Sequence, residues 1–220
     1  MSRYDAVLLD AFGTLIALDD PVGKLQAAAR TRLGAEVTSE DAGRAMLAEV
    51  AYYEEHCHEA ADEVSLHTLR LTCAEIVRDE LALEITPEHA LETLAESIVF
   101  RVYDDVAPTL DGLAAAGIAT AVVSNWDCSL PDTLRGVGID IAVVVDSATS
   151  GTAKPDPAIF RRALGLLGVA PERALHVGDL LATDGEGARA AGVDVRIVDR
   201  SAPSGPDTIA SLTEILPLVR

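Results

Sequence analysis

The feature that most constrains this chain is a series of short, largely apolar segments separated by amphipathic stretches. Ala6–Leu9, Ala119–Val123, Ile141–Val145, Ala174–Val177 and Val193–Val198 are rich in Val, Ile and Leu, as strands buried on both faces must be. Thr109–Ala116, Leu130–Gly136, Pro157–Leu167, Gly185–Ala191 and Ser211–Leu218 read as helices, with glycines such as Gly117, Gly168 and Gly192 marking their ends. Strands alternating with helices predict an α/β fold, a doubly wound, Rossmann-like parallel sheet.

The first strand departs from the pattern. The stretch from Leu9 to Ala119 far exceeds the dozen or so residues that a simple βαβ crossover needs. From Pro21 to about Arg101 it reads as helix throughout, with start signals at Thr38, whose Ser39, Glu40 and Asp41 follow at capping-box spacing, and at Thr86-Pro87. We read four helices here: Pro21–Leu33, Ser39–Glu55, Leu66–Leu81 and Pro87–Phe100. The expected organisation is an α/β core of residues 1–17 and 104–220 with an all-helical cap of residues 18–103. An insertion directly after the first strand lies at the carboxyl ends of the strands, where ligands bind in such sheets.

Charge narrows the function. There are 17 Lys and Arg against 36 Asp and Glu, a net charge of −19 at pH 7, which repels polyanions and excludes nucleic acid as an expected partner. Only two of the basic residues are lysines, Lys24 and Lys154. The sequence contains no apolar run of membrane-spanning length and begins without a signal-peptide architecture, so a cytoplasmic protein without a membrane partner is expected. Cys57, Cys73 and Cys128 are odd in number and lack CxxC spacing, which argues for reduced thiols. Monomer and homodimer are equally open.

In a doubly wound sheet the residues following each strand converge on one edge. Here they are Asp10, Phe12, Gly13 and Thr14 after the first strand, Ser124, Asn125 and Trp126 after the second, Lys154 beyond the third, and Asp179 and Asp184 after the fourth. Three carboxylates in one cleft repel one another, and a cation together with Lys154 resolves the imbalance. Hard oxygen donors favour Mg2+, leaving Asp10 as a candidate nucleophile and Ser124 as a candidate phosphoryl-oxygen donor.

The stretches Leu9-Asp10-Ala11-Phe12-Gly13-Thr14-Leu15, Val122-Val123-Ser124-Asn125, Lys154-Pro155-Asp156-Pro157 and His176-Val177-Gly178-Asp179 through Asp184 to Gly187-Ala188 carry a resemblance to haloacid dehalogenase-like (HAD) superfamily hydrolases with a helical cap inserted after the first strand. The resemblance implies that Asp10 is the nucleophile, that Ser124 and Asn125 contact the substrate, and that Lys154 holds charge; Thr14 and Trp126 are further substrate-binding candidates. It also implies that Asp10, the carbonyl of Phe12, Asp179 and Asp184 serve Mg2+, with Asp184 either a ligand or an anchor behind the ligands.

One departure stands out. Phosphatases resembling this chain carry a general acid two residues after the nucleophile, where Phe12 stands, whereas an aromatic residue there is a 2-haloacid dehalogenase trait. Halide leaves as an anion and needs no proton. Asp179 points the other way, since those dehalogenases have serine at that position. The expected function is a Mg2+-dependent phosphatase for a small, anionic phosphorylated metabolite; a 2-haloacid dehalogenase and a degenerate HAD-fold binding protein are the alternatives. A receiver domain gathers similar residues, but the length and the insertion count against it.

Other signals carry bland readings. Gly185–Ala190 matches GxGxxA yet follows Asp184 rather than a strand, and Glu54–Glu59 is a solvated helix end rather than a soft-metal cluster. Tyr52, Tyr53, His56 and His58 are candidates for substrate selection from the cap. Trp126 is either a core aromatic or a wall of the site, His176 is expected to be a core histidine, and Cys128 incidental.

Overall fold

The computed structural model describes residues 3–219. Contacts divide the chain into two compact units, one of Met1–Ala17 with Val102–Arg220 and one of Leu18–Arg101. The chain runs through β1 (Ala6–Leu9), β2 (Ile16–Leu18), α1 (Pro21–Ala28), α2 (Ser39–His56), α3 (Glu63–Glu80), α4 (Pro87–Ser97) and β3 (Phe100–Val102). It continues through α5 (Val106–Ala115), β4 (Ala119–Ser124), α6 (Leu130–Gly136), β5 (Val143–Asp146), α7 (Ser147–Ser150) and α8 (Pro157–Leu167). It ends with β6 (Ala174–Gly178), α9 (Glu186–Ala191), β7 (Asp194–Val198) and β8 (Thr208–Ile209).

Six strands form one sheet in the order β5-β4-β1-β6-β7-β8, every pairing parallel. The chain winds outward from β1 through β4 to β5, then returns to β6 on the other side of β1 and winds outward again. The order reverses beside β1, so the loops after β1, β4 and β6 diverge around a crevice at their carboxyl ends. All four residues of β1 and all five of β6 are buried, which their apolar runs anticipate.

One face of the sheet packs on α8, whose Ile159, Phe160, Ala163 and Leu164 form a single buried stripe against Leu8, Val123 and their neighbours. Each of the large side chains in that stripe contributes about 1.5–3 kcal/mol of apolar burial. Asp156 caps α8 by accepting the Ala158 N–H at 2.8 Å, Pro157 begins it, and Gly168 closes it at φ 69°.

The unit Leu18–Arg101 contains α1 to α4. Thr38 and Thr86 cap α2 and α4 through their hydroxyls, as the start signals predict. The expected helix from Leu66 begins earlier, at Glu63, because Asp62 and Ser65 form a reciprocal capping box. The expected Pro21–Leu33 helix keeps regular winding only to Ala28 and continues as a wider π turn to Leu33. The expected Pro87–Phe100 helix stops at Ser97, because Phe100 enters β3, which pairs with β2 in a two-stranded sheet.

Elsewhere Ser211–Leu218 holds only a short 3-10 turn, Leu212–Ile215, with Pro217 unable to continue a helix hydrogen-bond ladder. Among the described residues no helix is long and apolar enough to cross a membrane.

Candidate active site

Asp10 follows β1 directly, and its N–H extends the ladder to β6 by donating to the Val177 carbonyl at 2.9 Å. The residue is 5% exposed. Lys154 Nζ donates to Asp10 Oδ1 at 2.6 Å and to Asp184 Oδ1 at 2.7 Å, so one buried ammonium bridges two buried carboxylates. Burial opposes the charge on Lys154, but Asp10 and Asp184 outweigh it and the lysine pKa is raised.

One ammonium cannot satisfy three acids. Carboxylate oxygens of Asp10, Asp179 and Asp184 all lie within 4.8 Å of one another, the only such group among the described residues. Burial also opposes ionisation of Asp184, but Lys154 and a hydrogen bond from His176 prevail and hold its pKa below the usual carboxylate range. The shortfall falls on the other two. Burial, partly offset by Lys154 and reinforced by Asp184, raises the Asp10 pKa, while burial and then the charges of Asp10 and Asp184 push the half-buried Asp179 to about 6. Three hard oxygen donors short of positive charge are a donor set that suits a divalent cation.

Two glycines make this density possible. A Cβ at Gly13, which has φ 75°, would collide with the Asp179 carboxylate, and a Cβ at Gly178 would collide with that of Asp184. Asp184 is further held by the Leu180 N–H, which donates to Oδ2 at 3.2 Å. Oδ1 accepts from Lys154 and His176, so both Asp184 oxygens are engaged by the protein.

Ser124 ends β4 and is 2% exposed, and its side chain acts to lower the pKa of the Asp10 carboxyl. Asn125 turns its amide to the loop instead: Oδ1 accepts the Lys154 N–H at 2.7 Å and Nδ2 donates to the Lys154 carbonyl at 3.0 Å. This pair fixes the backbone from which the lysine reaches inward. Trp126 is 5% exposed, its ring centroid 6.4 Å from that of Phe12, which is itself 37% exposed. Thr14 is wholly buried, its hydroxyl enclosed without a hydrogen-bond partner.

Two contributors lay outside the sequence expectations. His176 is a fully buried core residue, as expected, yet its Nε2 stands 2.8 Å from Asp184 Oδ1. Arg200, just past β7, donates to the Gly13 and Thr14 carbonyls at 2.9 and 2.8 Å and pairs with Asp105, bracing the loop that carries Asp10. Neither role has a local signal: Arg200 reaches carbonyls 187 and 186 positions away, and His176 meets Asp184 only because a strand end and a π turn fold back on each other.

A haloacid dehalogenase-like hydrolase family model matches residues 4–192. The chain belongs to the haloacid dehalogenase-like hydrolase family. It is 36% identical over 143 residues to haloacid dehalogenase-like hydrolase domain-containing protein 3 of Mus musculus, covering 64% of this chain and 56% of that protein. It is also 36% identical over 138 residues to a phosphoserine phosphatase of Thermus thermophilus, covering 57% of this chain and 54% of that one. The chain thus spans about half the length of these curated relatives. The L-2-haloacid dehalogenase of Xanthobacter autotrophicus shares the fold at a TM-score of 0.73 and 21% identity, covering 99% of this chain and 98% of that one.

Within this HAD hydrolase the remaining signals have structural explanations. Gly185 ends a π turn behind the buried Asp184, with no strand leading into it as a dinucleotide fingerprint requires. In the helical unit His56 stacks on Tyr52 at 4.2 Å and bonds Glu59 at 3.1 Å, while Cys57 is buried and His58 exposed.

Proposed function

We propose that this HAD hydrolase is a Mg2+-dependent phosphatase acting on a small phosphorylated metabolite, with residues 18–101 serving as the cap that selects it. The observation carrying the proposal is Asp179: its carboxylate joins Asp10 and Asp184 within reach of one ion, and burial together with those two charges raises its pKa. A site for 2-haloacids has no use for that third carboxylate, which would repel the substrate's own. The phosphatase chemistry named for the Thermus thermophilus relative points the same way.

In this reading the Asp10 oxygen not held by Lys154 attacks phosphorus, the ester P–O bond breaks, and an aspartyl phosphate forms; water then cleaves it, releasing phosphate and restoring Asp10. Lys154 aligns Asp10 and Ser124 holds a phosphoryl oxygen. Asp10, the Phe12 carbonyl, Asp179 and Asp184 would hold Mg2+, which would supply charge neutralisation at the phosphoryl oxygens. Phe12 provides no proton, so the leaving oxygen takes one from water or from elsewhere in the substrate. We place the protein in the cytoplasm, where its thiols, none in a disulfide, stay reduced.

Phe12 favours a second reading, 2-haloacid dehalogenase, because halide needs no proton. Parallel assays of phosphorylated metabolites and 2-haloacids, with and without Mg2+, decide between them. Mg2+-dependent phosphate release abolished by Asp10→Asn supports the phosphatase; halide release without phosphate release overturns it.

A further inference from the structure

Side chains alternate across a strand, so His176 and Gly178 of β6 point to the same face of the sheet. Gly178 contributes no side chain there, and the space is taken by the Asp184 carboxylate, which arrives from the π turn Leu181–Gly185. His176, one step back on that face, is 0% exposed and meets Asp184 Oδ1 at 2.8 Å through Nε2. A carboxylate oxygen only accepts, so the imidazole hydrogen is on Nε2. Nδ1 is buried and without a hydrogen-bond partner.

Apolar packing alone does not explain this histidine. Its ring packs edge-on against Phe160, centroids 4.9 Å apart, in a layer where an aliphatic side chain would leave no orphaned nitrogen. What the imidazole adds is a second donor on the oxygen that also receives Lys154. The remaining bonds to Asp184 are longer, 3.2 Å from the Leu180 N–H and 3.5 Å from the Thr183 hydroxyl, both on Oδ2. Without His176, Lys154 is the one close donor left on the Asp184 carboxylate.

We propose that His176 is a positioning residue: it locks the Asp184 carboxylate so that Lys154 is presented to Asp10 Oδ1 and Asp184 keeps its place beside Asp10 and Asp179. This rests on the reading of Asp10 as nucleophile and Asp179 and Asp184 as metal-side carboxylates.

The test compares wild type, His176→Leu and His176→Gln, the last keeping an N–H donor at similar reach. The Leu variant removes one donor from a buried carboxylate and should still fold, with an unfolding midpoint below that of wild type. It should lose about 10- to 100-fold in kcat with KM little changed, and bind Mg2+ alone in calorimetry about 10- to 100-fold more weakly. The Gln variant should recover most of both losses. A third measurement needs no variant: long-range 1H–15N NMR of the wild-type imidazole should show the Nε2–H tautomer. Wild-type kcat and Mg2+ affinity in a folded Leu variant, a folded Gln variant no better than Leu, or an Nδ1–H tautomer would each overturn the proposal. If the wild type hydrolyses no phosphorylated compound, the phosphatase reading fails, while Mg2+ affinities and the tautomer still decide the role of His176.

Discussion

Replacing Lys154 by methionine keeps an unbranched side chain of similar length and removes only the ammonium. Its side chain is 3% exposed and its two carboxylate partners 7% and 1%, so water cannot replace the lost charge. Asp10 and Asp184 would remain with oxygens within 4.8 Å of each other. At an effective dielectric constant of about 20, two unit charges at that separation repel by about 3.5 kcal/mol. This agrees with the roughly 3–5 kcal/mol lost when one partner of a buried ion pair is deleted.

The protein can escape by protonating a carboxyl, which sets the pH dependence. Once Lys154 is gone, the pKa of Asp10, already raised, rises further above its unfolded value of about 3.9. A group whose folded pKa is raised contributes stability that is present below the unfolded pKa and lost as pH rises through the folded one. The deficit of Lys154→Met should therefore be small near pH 5, reach about 3–5 kcal/mol at pH 8 in EDTA, and shrink again with saturating Mg2+. Trp126, the only tryptophan, lies in the α/β unit and reports its urea unfolding by fluorescence. A deficit below about 1 kcal/mol at pH 8, or one indifferent to pH and Mg2+, refutes the account of a cluster held together by one ammonium.

Other expectations follow from the same geometry. In metal-free wild type, Asp179, with its pKa raised to about 6, should contribute stability that is full below about pH 4 and fades as pH rises through 6. Half-burial screens this to about 1 kcal/mol, and Asp179→Asn should flatten that part of the urea-midpoint profile; an unchanged slope would contradict it. Gly178→Ala places a methyl group inside the Asp184 carboxylate and should cost about 1–3 kcal/mol by urea titration, with a clear loss of kcat. A variant with both intact would mean that Asp184 is not held where we describe it. Phe12→Asp supplies the missing acid and should speed phosphate release by about 10-fold or more in steady-state assays, whereas a dehalogenase would gain nothing from it.

The strands carrying the site were legible because burial on both faces demands apolar runs, and β1, β4 and β6 fall within a residue of the segments read for them. The short elements escaped: β2 and β3 have three residues each and β8 two, too few for a period to register. The third expected strand starts at Val143 rather than Ile141, where neighbour pairing rather than hydrophobicity sets the limit. The helical start at Glu63 was missed because its cap, Asp62, precedes any apolar periodicity.

By itself, then, the sequence determined that Asp10, Ser124, Lys154 and Asp179 follow strands of a parallel sheet, because apolar runs and helix caps are local properties. Only the tertiary structure decided how charge is shared among them: Lys154 reaches Asp10 across 144 positions, Asn125 spends its amide on the Lys154 backbone, and His176 braces Asp184. Those bonds depend on the winding order around β1 and on the parallel register of β6 beside it, which bring together residues that no local pattern relates. In the low dielectric of that crevice, such placement sets which carboxyl is held ionised and which bears the shortfall.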